Sequence, residues 1–185
     1  MRAEWGMPNL YLHSAAAQFA ARLAAKGHRV PDLAFAGRFT SEAHVFKALA
    51  LGAPFVKAVC MGRALMIPGM VGKNVGLWME TGSLPKSVSQ YGDRLDEIFV
   101  CWEQVAELVG KEQMAQIPLG AVGIYSYVQK LAAGLQQLMA GTRSFQLRSI
   151  GRNELTSLTR ECADVTGIPY VMDAYRAEAE AILDG

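Results

Sequence analysis

Apolar residues recur at two different periods along this chain, and the switches between them mark its elements. Over 13–26, Phe19, Ala20, Leu23 and Ala24 fall at helical spacing behind Ser14, a candidate cap, and Gly27 ends the run. After the turn signal Pro31-Asp32, the apolar run Leu33-Ala34-Phe35-Ala36 predicts a short buried strand, and 37–40 predicts a loop. A second helix is predicted over 42–51, capped by Ser41, with Val45, Phe46, Leu49 and Ala50 on its apolar face and Gly52 closing it. A second strand follows over 55–59, then a turn at Met61-Gly62-Arg63. Two short apolar runs joined by a helix and short loops predict a parallel βαβ unit with a right-handed crossover.

Beyond Arg63 the pattern changes. Glycine and proline punctuate 66–86, which places a boundary near 81–86: a βαβ-containing part over 1–80 and a helical tail packed on it over 81–185. Helices are predicted over 96–109 (Ile98, Phe99, Trp102, Val105 and Leu108 inward, Gly110 as stop) and over 122–140 (Tyr125, Val128, Leu131, Leu135, Leu138). Two more follow, one from an Asn153 cap to 165, stopped by Gly167 and Pro169, and one over 170–183. Residues 10–12 and 144–147 are weak strand candidates. Two strands alone do not make a stable sheet, and a parallel pair is normally covered on both faces. The class is therefore α/β, predominantly helical, with a βαβ unit that reads as part of a larger sheet.

Composition narrows the function classes. Hydrophobic residues make up 51% and charged residues 19%, which predicts a folded chain with a sizeable core. The net charge is +1 without a basic block, which argues against nucleic acid. The most apolar stretch, 48–70, is broken by Lys57, Arg63, glycines and Pro68, too interrupted to span a bilayer, and residues 1–6 lack the apolar region of an export signal. Cys60, Cys101 and Cys162 are widely spaced, unlike zinc or iron–sulfur ligands, so each is expected to be small buried filler. Their odd number without an export signal points to a reducing cytoplasm. His13 and His28 are not spaced with carboxylates as a metal set, and no metal is assigned.

The candidate chemistry sits at the carboxyl ends of the two strands, where α/β architectures bind ligands. Gly37 and Gly62 lie there, each followed by an arginine, Arg38 and Arg63, and each preceding a helix start whose free N–H groups favour an anion. Two readings fit this spacing: a phosphate cradle, or tight turns flanked by solvated arginines. His44 faces a ligand or the surface; Lys57 reaches a barrel interior or snorkels outward. The Met61, Met66, Met70 group reads as adaptable packing, and Trp78, Trp102 and Tyr125 as core or interface anchors.

The segments PDLAFAGRF (31–39), HVFKALALGA (44–53) and VKAVCMGRA (56–64) resemble the closing part of the FMN-binding barrel in the glutamate synthase family. The similarity continues through IPLGA (117–121), GLQQLMAG (134–141) and TGIPYVMDAY (166–175), and so covers nearly the whole chain. The resemblance implies a (β/α)8 domain holding FMN, of which this chain supplies the last two strands and a helical tail. It implies that Gly37, Arg38, Gly62 and Arg63 lie at the flavin phosphate, with Arg38 standing where the family pattern has a second glycine. Earlier strands, with the flavin-ring and substrate contacts, would precede Met1, so no catalytic residue is assigned and the chain is expected not to turn over alone. Only Cys60 follows the last strand, so no iron–sulfur cluster is expected, and Arg2 after Met1 leaves no amino-terminal cysteine nucleophile for a glutaminase.

Two functional expectations result. One is the carboxyl-terminal portion of an FMN-dependent, glutamate synthase-type oxidoreductase, completed by the missing barrel portion. The other is a helical assembly or interaction protein, expected to be a homodimer, with a vestigial, non-binding βαβ unit.

Overall fold

A computed structural model describes residues 6–184; residues 1–5, which carry the readings of the amino terminus, and Gly185 lie outside the described residues. In chain order the elements are α1 (Asn9–Ala25), β1 (Leu33–Ala36), α2 (Glu42–Gly52), β2 (Val56–Cys60), α3 (Arg63–Glu80), α4 (Lys86–Ser89), α5 (Leu95–Ile98), α6 (Trp102–Val109), α7 (Lys111–Met114), α8 (Leu119–Gly141), α9 (Arg160–Thr166), α10 (Val171–Ala174) and α11 (Arg176–Asp184). Most described residues are helical, and the one sheet has two parallel strands. The chain divides into two compact units: residues through Cys60 together with those from Leu135 onward, and Met61–Gly134 between them. The 81–86 passage lies inside the second unit.

In the first unit the predicted βαβ is present, with β2 one residue later than expected. Leu33 pairs with Val56; the register then shifts at Lys57, so that Ala34 faces Ala58, Phe35 faces Val59 and Ala36 faces Cys60. Phe35 and Val56 are buried with Ala48 of α2, whereas Ala34, Ala36, Ala58 and Cys60 are exposed. Ser41 caps α2, its Oγ accepting from the His44 N–H at 3.3 Å. A Cβ on Gly52 would run into Val56 and come within 3.0 Å of the Phe35 ring, so glycine there lets α2 turn back closely onto the strands. Both sides of α2 are used, since Phe46 and Ala50 form a second core with Ile150, Leu135 and Leu138.

Several elements depart from the pattern. Helix α1 begins at Asn9 behind Pro8, absorbs the weak strand candidate at 10–12, and leaves Ser14 in its interior, 1% exposed, with its Oγ unpartnered. Its buried side is His13, Ser14, Ala17 and Ala20; Phe19 is 61% exposed and Leu23 also faces outward. Small side chains let α1 lie close to α2 and α9, which outweighs the larger apolar stripe. Asn153 does not cap a helix: it sits in a 3-10 turn, Arg152–Glu154. The following residues are extended because Ser157 bridges Tyr170, its N–H donating to Pro169 O and its carbonyl accepting from the Val171 N–H, both at 2.8 Å. Thr159 is the true cap of α9, and Gly167 stops the helix at φ +66°. The final helix is interrupted at Tyr175, and 144–147 is not a strand.

In the second unit the glycine- and proline-punctuated passage after Arg63 is one continuous helix, α3, despite Pro68. Its glycines are a contact surface. A Cβ on Gly72 would strike Leu119 O, one on Gly123 would strike Pro68 O, and one on Gly120 would come within 2.7 Å of Gly69 O. Close backbone approach to the start of α8 overrides the weak helix propensity of glycine. The predicted helix over 96–109 is split into α5 and α6 because Phe99 is extended and buried. The core is Val75, Phe99, Val105, Ala106, Met114 and Val122, with Trp78, Trp102 and Tyr125 packed against it, whereas Leu108, Met66 and Met70 are exposed. Of the cysteines only Cys101 is buried; Cys60 is exposed at the strand end and Cys162 is half-buried.

Candidate anion site at the end of the first strand

The chain leaves β1 through two successive residues at positive φ, Gly37 at +142° and Arg38 at +53°. For Gly37 the glycine is required twice over. Its φ is one that L side chains rarely adopt, and the space a Cβ would take is filled by the Asn9 amide, which donates to Gly37 O at 2.8 Å. Arg38 adopts the left-handed conformation without that freedom.

His13, one turn after Asn9 on α1, supports this corner from below. Its ring stacks on Phe35 (centroids 4.0 Å apart, 7° from parallel) and on Phe39 (5.7 Å, 19°), and it is 7% exposed. Nε2 lies 3.2 Å from Ala36 O. A carbonyl only accepts, so Nε2 carries the proton. Burial pushes the His13 pKa below the usual histidine range, with the Ala36 carbonyl opposing in part. His44 is held in the same tautomer by a different route. The Thr40 N–H donates to its Nδ1 at 3.2 Å, which leaves Nε2–H as the outward donor.

These residues line a cleft of about 290 Å³ that includes Asn9, His13, Arg38, Phe39, His44 and Lys47. No carboxylate lines it, and neither Arg38 nor Lys47 is in an ion pair among the described residues. Asn9 and Leu10 come from the first turn of α1, whereas the α2 residues run along its side from His44 to Leu51. The arrangement can hold a small anion; none of its groups is paired as nucleophile and base. Among the described residues no three His, Cys, Asp or Glu side chains are grouped as metal ligands, and no helix is long and apolar enough to cross a membrane.

No family model, curated protein or solved structure matches the chain.

Of the four residues singled out in the sequence, Gly37 and Arg38 line this cleft; Gly62 and Arg63 belong to the second unit. There Gly62 is the N-cap of α3 at φ −105°, with open space where a Cβ would stand, and Arg63 is exposed. Gly62 offers no side-chain cap, so the first N–H groups of that 18-residue helix lack a side-chain acceptor at the cap. Sequence reasoning missed Asn9, His13 and Lys47. Starting α1 at 9 rather than 13 would have shown Asn9 and His13 four residues apart on one helix face.

Proposed function

We propose that the cleft after β1 binds the phosphate of FMN, and that the chain is the carboxyl-terminal portion of a glutamate synthase-type oxidoreductase. The observation that carries this reading is the pair of positive-φ residues, Gly37 and Arg38, at the carboxyl end of a parallel strand, opening onto a cleft whose charged side chains are all cationic. A phosphate monoester carries close to two negative charges at neutral pH and accepts several hydrogen bonds. The Arg38 guanidinium, the Lys47 ammonium and the His44 Nε2–H are suitable donors. Bound FMN would carry the electrons; these residues bind and orient it and take no part in proton transfer.

The test is titration of flavin fluorescence. FMN is expected to be quenched on mixing, with riboflavin, which lacks the phosphate, at least about tenfold weaker, and with Arg38→Gln weakening FMN by about tenfold. Equal binding of FMN and riboflavin, or no quenching up to about 1 mM, would overturn the reading.

A second reading, a homodimeric assembly protein, is favoured by the exposed apolar side chains of α3: Met66, Ile67, Met70, Val71 and Leu77. Light scattering decides it: a mass of one chain at micromolar concentration removes the dimer.

A further inference from the structure

We infer that the free edge of β2 accepts an extended polypeptide segment, apolar at alternate positions and carrying an acidic residue, as a third strand. The inference does not rest on the flavin reading. The sheet ends at β2, whose outer edge pairs with nothing among the described residues. A cleft of about 410 Å³ is lined by Val56, Lys57, Ala58 and Val59. Beyond the register shift at Lys57, Ala58 and Val59 point to opposite faces, so a cleft touched by both follows the strand edge rather than one face. Its other wall is apolar, built from Val45 and Leu49 of α2 with Leu135 and Ile150.

Charge selects the occupant further. Lys57 and Arg148 both line the cleft, and neither forms an ion pair among the described residues. Lys57 Nζ donates to Pro54 O at 2.8 Å, and Arg148 Nε to Gln146 Oε1 at 2.6 Å, both neutral acceptors. A purely hydrocarbon ligand would cover strand N–H and carbonyl groups without bonding them, which is unfavourable. An added strand satisfies those groups and seats its side chains in the apolar wall. Lys57 stands at the register shift, and a charge with an irregularity on an edge discourages unselective pairing. An acidic residue in the incoming strand turns that barrier into selectivity.

The test uses the full chain, isotope-labelled for amide NMR, and a capped nonapeptide, Thr-Val-Thr-Val-Glu-Val-Thr-Val-Thr. Shifts are expected within 56–60 and 147–150. The same peptide with Lys for Glu is expected to bind at least about tenfold more weakly, as is the Glu peptide to a Lys57→Gln, Arg148→Gln double variant. A copy N-methylated at every backbone amide is expected not to bind, because neither of its edges can complete the ladder. Binding that ignores N-methylation, shifts that map elsewhere, or no binding by the Glu peptide up to about 1 mM would overturn the inference. Tighter occupation of the cleft by decanoate would reassign it to a small amphiphile. Protected β2 amides in a peptide-free protein of twice the chain mass would reassign the edge to a second copy.

Discussion

The imidazole of His13 lies flat on Phe35 while its Nε2–H points at the carbonyl of Ala36, the last residue of the same strand. Burial lowers the pKa of the ring and so favours its neutral form, with the Ala36 carbonyl opposing in part. The unfolded chain, with an ordinary histidine near 6.5, then binds more protons than the folded one below about that pH. Stability is therefore complete above the unfolded pKa and is lost as pH falls from there through the lowered folded value. Urea midpoints measured between about pH 7 and pH 5 should fall, and His13→Gln, which keeps an N–H for Ala36 O, should flatten that part of the slope.

Gly37→Ala should destabilise the chain by about 1–3 kcal/mol, because the residue must keep its positive φ and the Asn9 amide must move. Asn9→Ala removes both the obstacle and the bond to Gly37 O. Urea unfolding of the double variant should show a loss smaller than the sum of the singles, the signature of two residues that touch.

Arg38→Gly separates stability from binding. Relief of the left-handed conformation offsets the entropy of a new glycine, so stability should hold or rise by up to about 1 kcal/mol. FMN quenching by the same variant should weaken by about tenfold. Equal losses in both measurements would mean that Arg38 serves the fold alone.

Gly72→Ala and Gly123→Ala should each cost about 1–3 kcal/mol, because α3 and α8 would have to separate. Gly141→Ala is the matched control: it ends α8 without a positive φ and nothing lies within 4 Å of the space its Cβ would take, so its change should stay within about 0.5 kcal/mol. Thermal unfolding of the three variants measures this contrast.

Arg152 donates to Leu51 O at 2.8 Å and to Thr166 O at 2.5 Å, joining α2 to the end of α9. Arg152→Met should leave both carbonyls without this donor and cost about 1–3 kcal/mol in urea unfolding. Lysine should recover only part of that, since one ammonium on a flexible stem does not reproduce the fixed fork.

The parts legible in the sequence were those governed by local chemistry. Ser41 announced the start of α2, Gly27 the end of α1, and the apolar run at Leu33 a strand, because caps, turns and short buried strands carry their signals within a few residues. The rest was decided at a distance. Pro68 and three glycines argue against a helix until the backbone of α8 is beside them. Residues after Asn153 are helix-like until Ser157 bridges Tyr170. In the cleft, Gly37 and Arg38 were legible as punctuation after a strand, whereas Asn9, His13 and Lys47 join them only through the packing of α1 and α2.

The second unit is one uninterrupted stretch, whereas the first is assembled from two stretches on either side of it. The bond from Arg152 to Leu51 O spans 101 residues. On a growing chain, the inner unit has all its own residues by Gly134. The sheet and α2 must wait for Ile150 and Arg152, with the loop closure between them still to be made. The βαβ unit is made before the inner unit and finished after it, and in that interval the side of α2 that Ile150 covers stands open to whatever else is nearby.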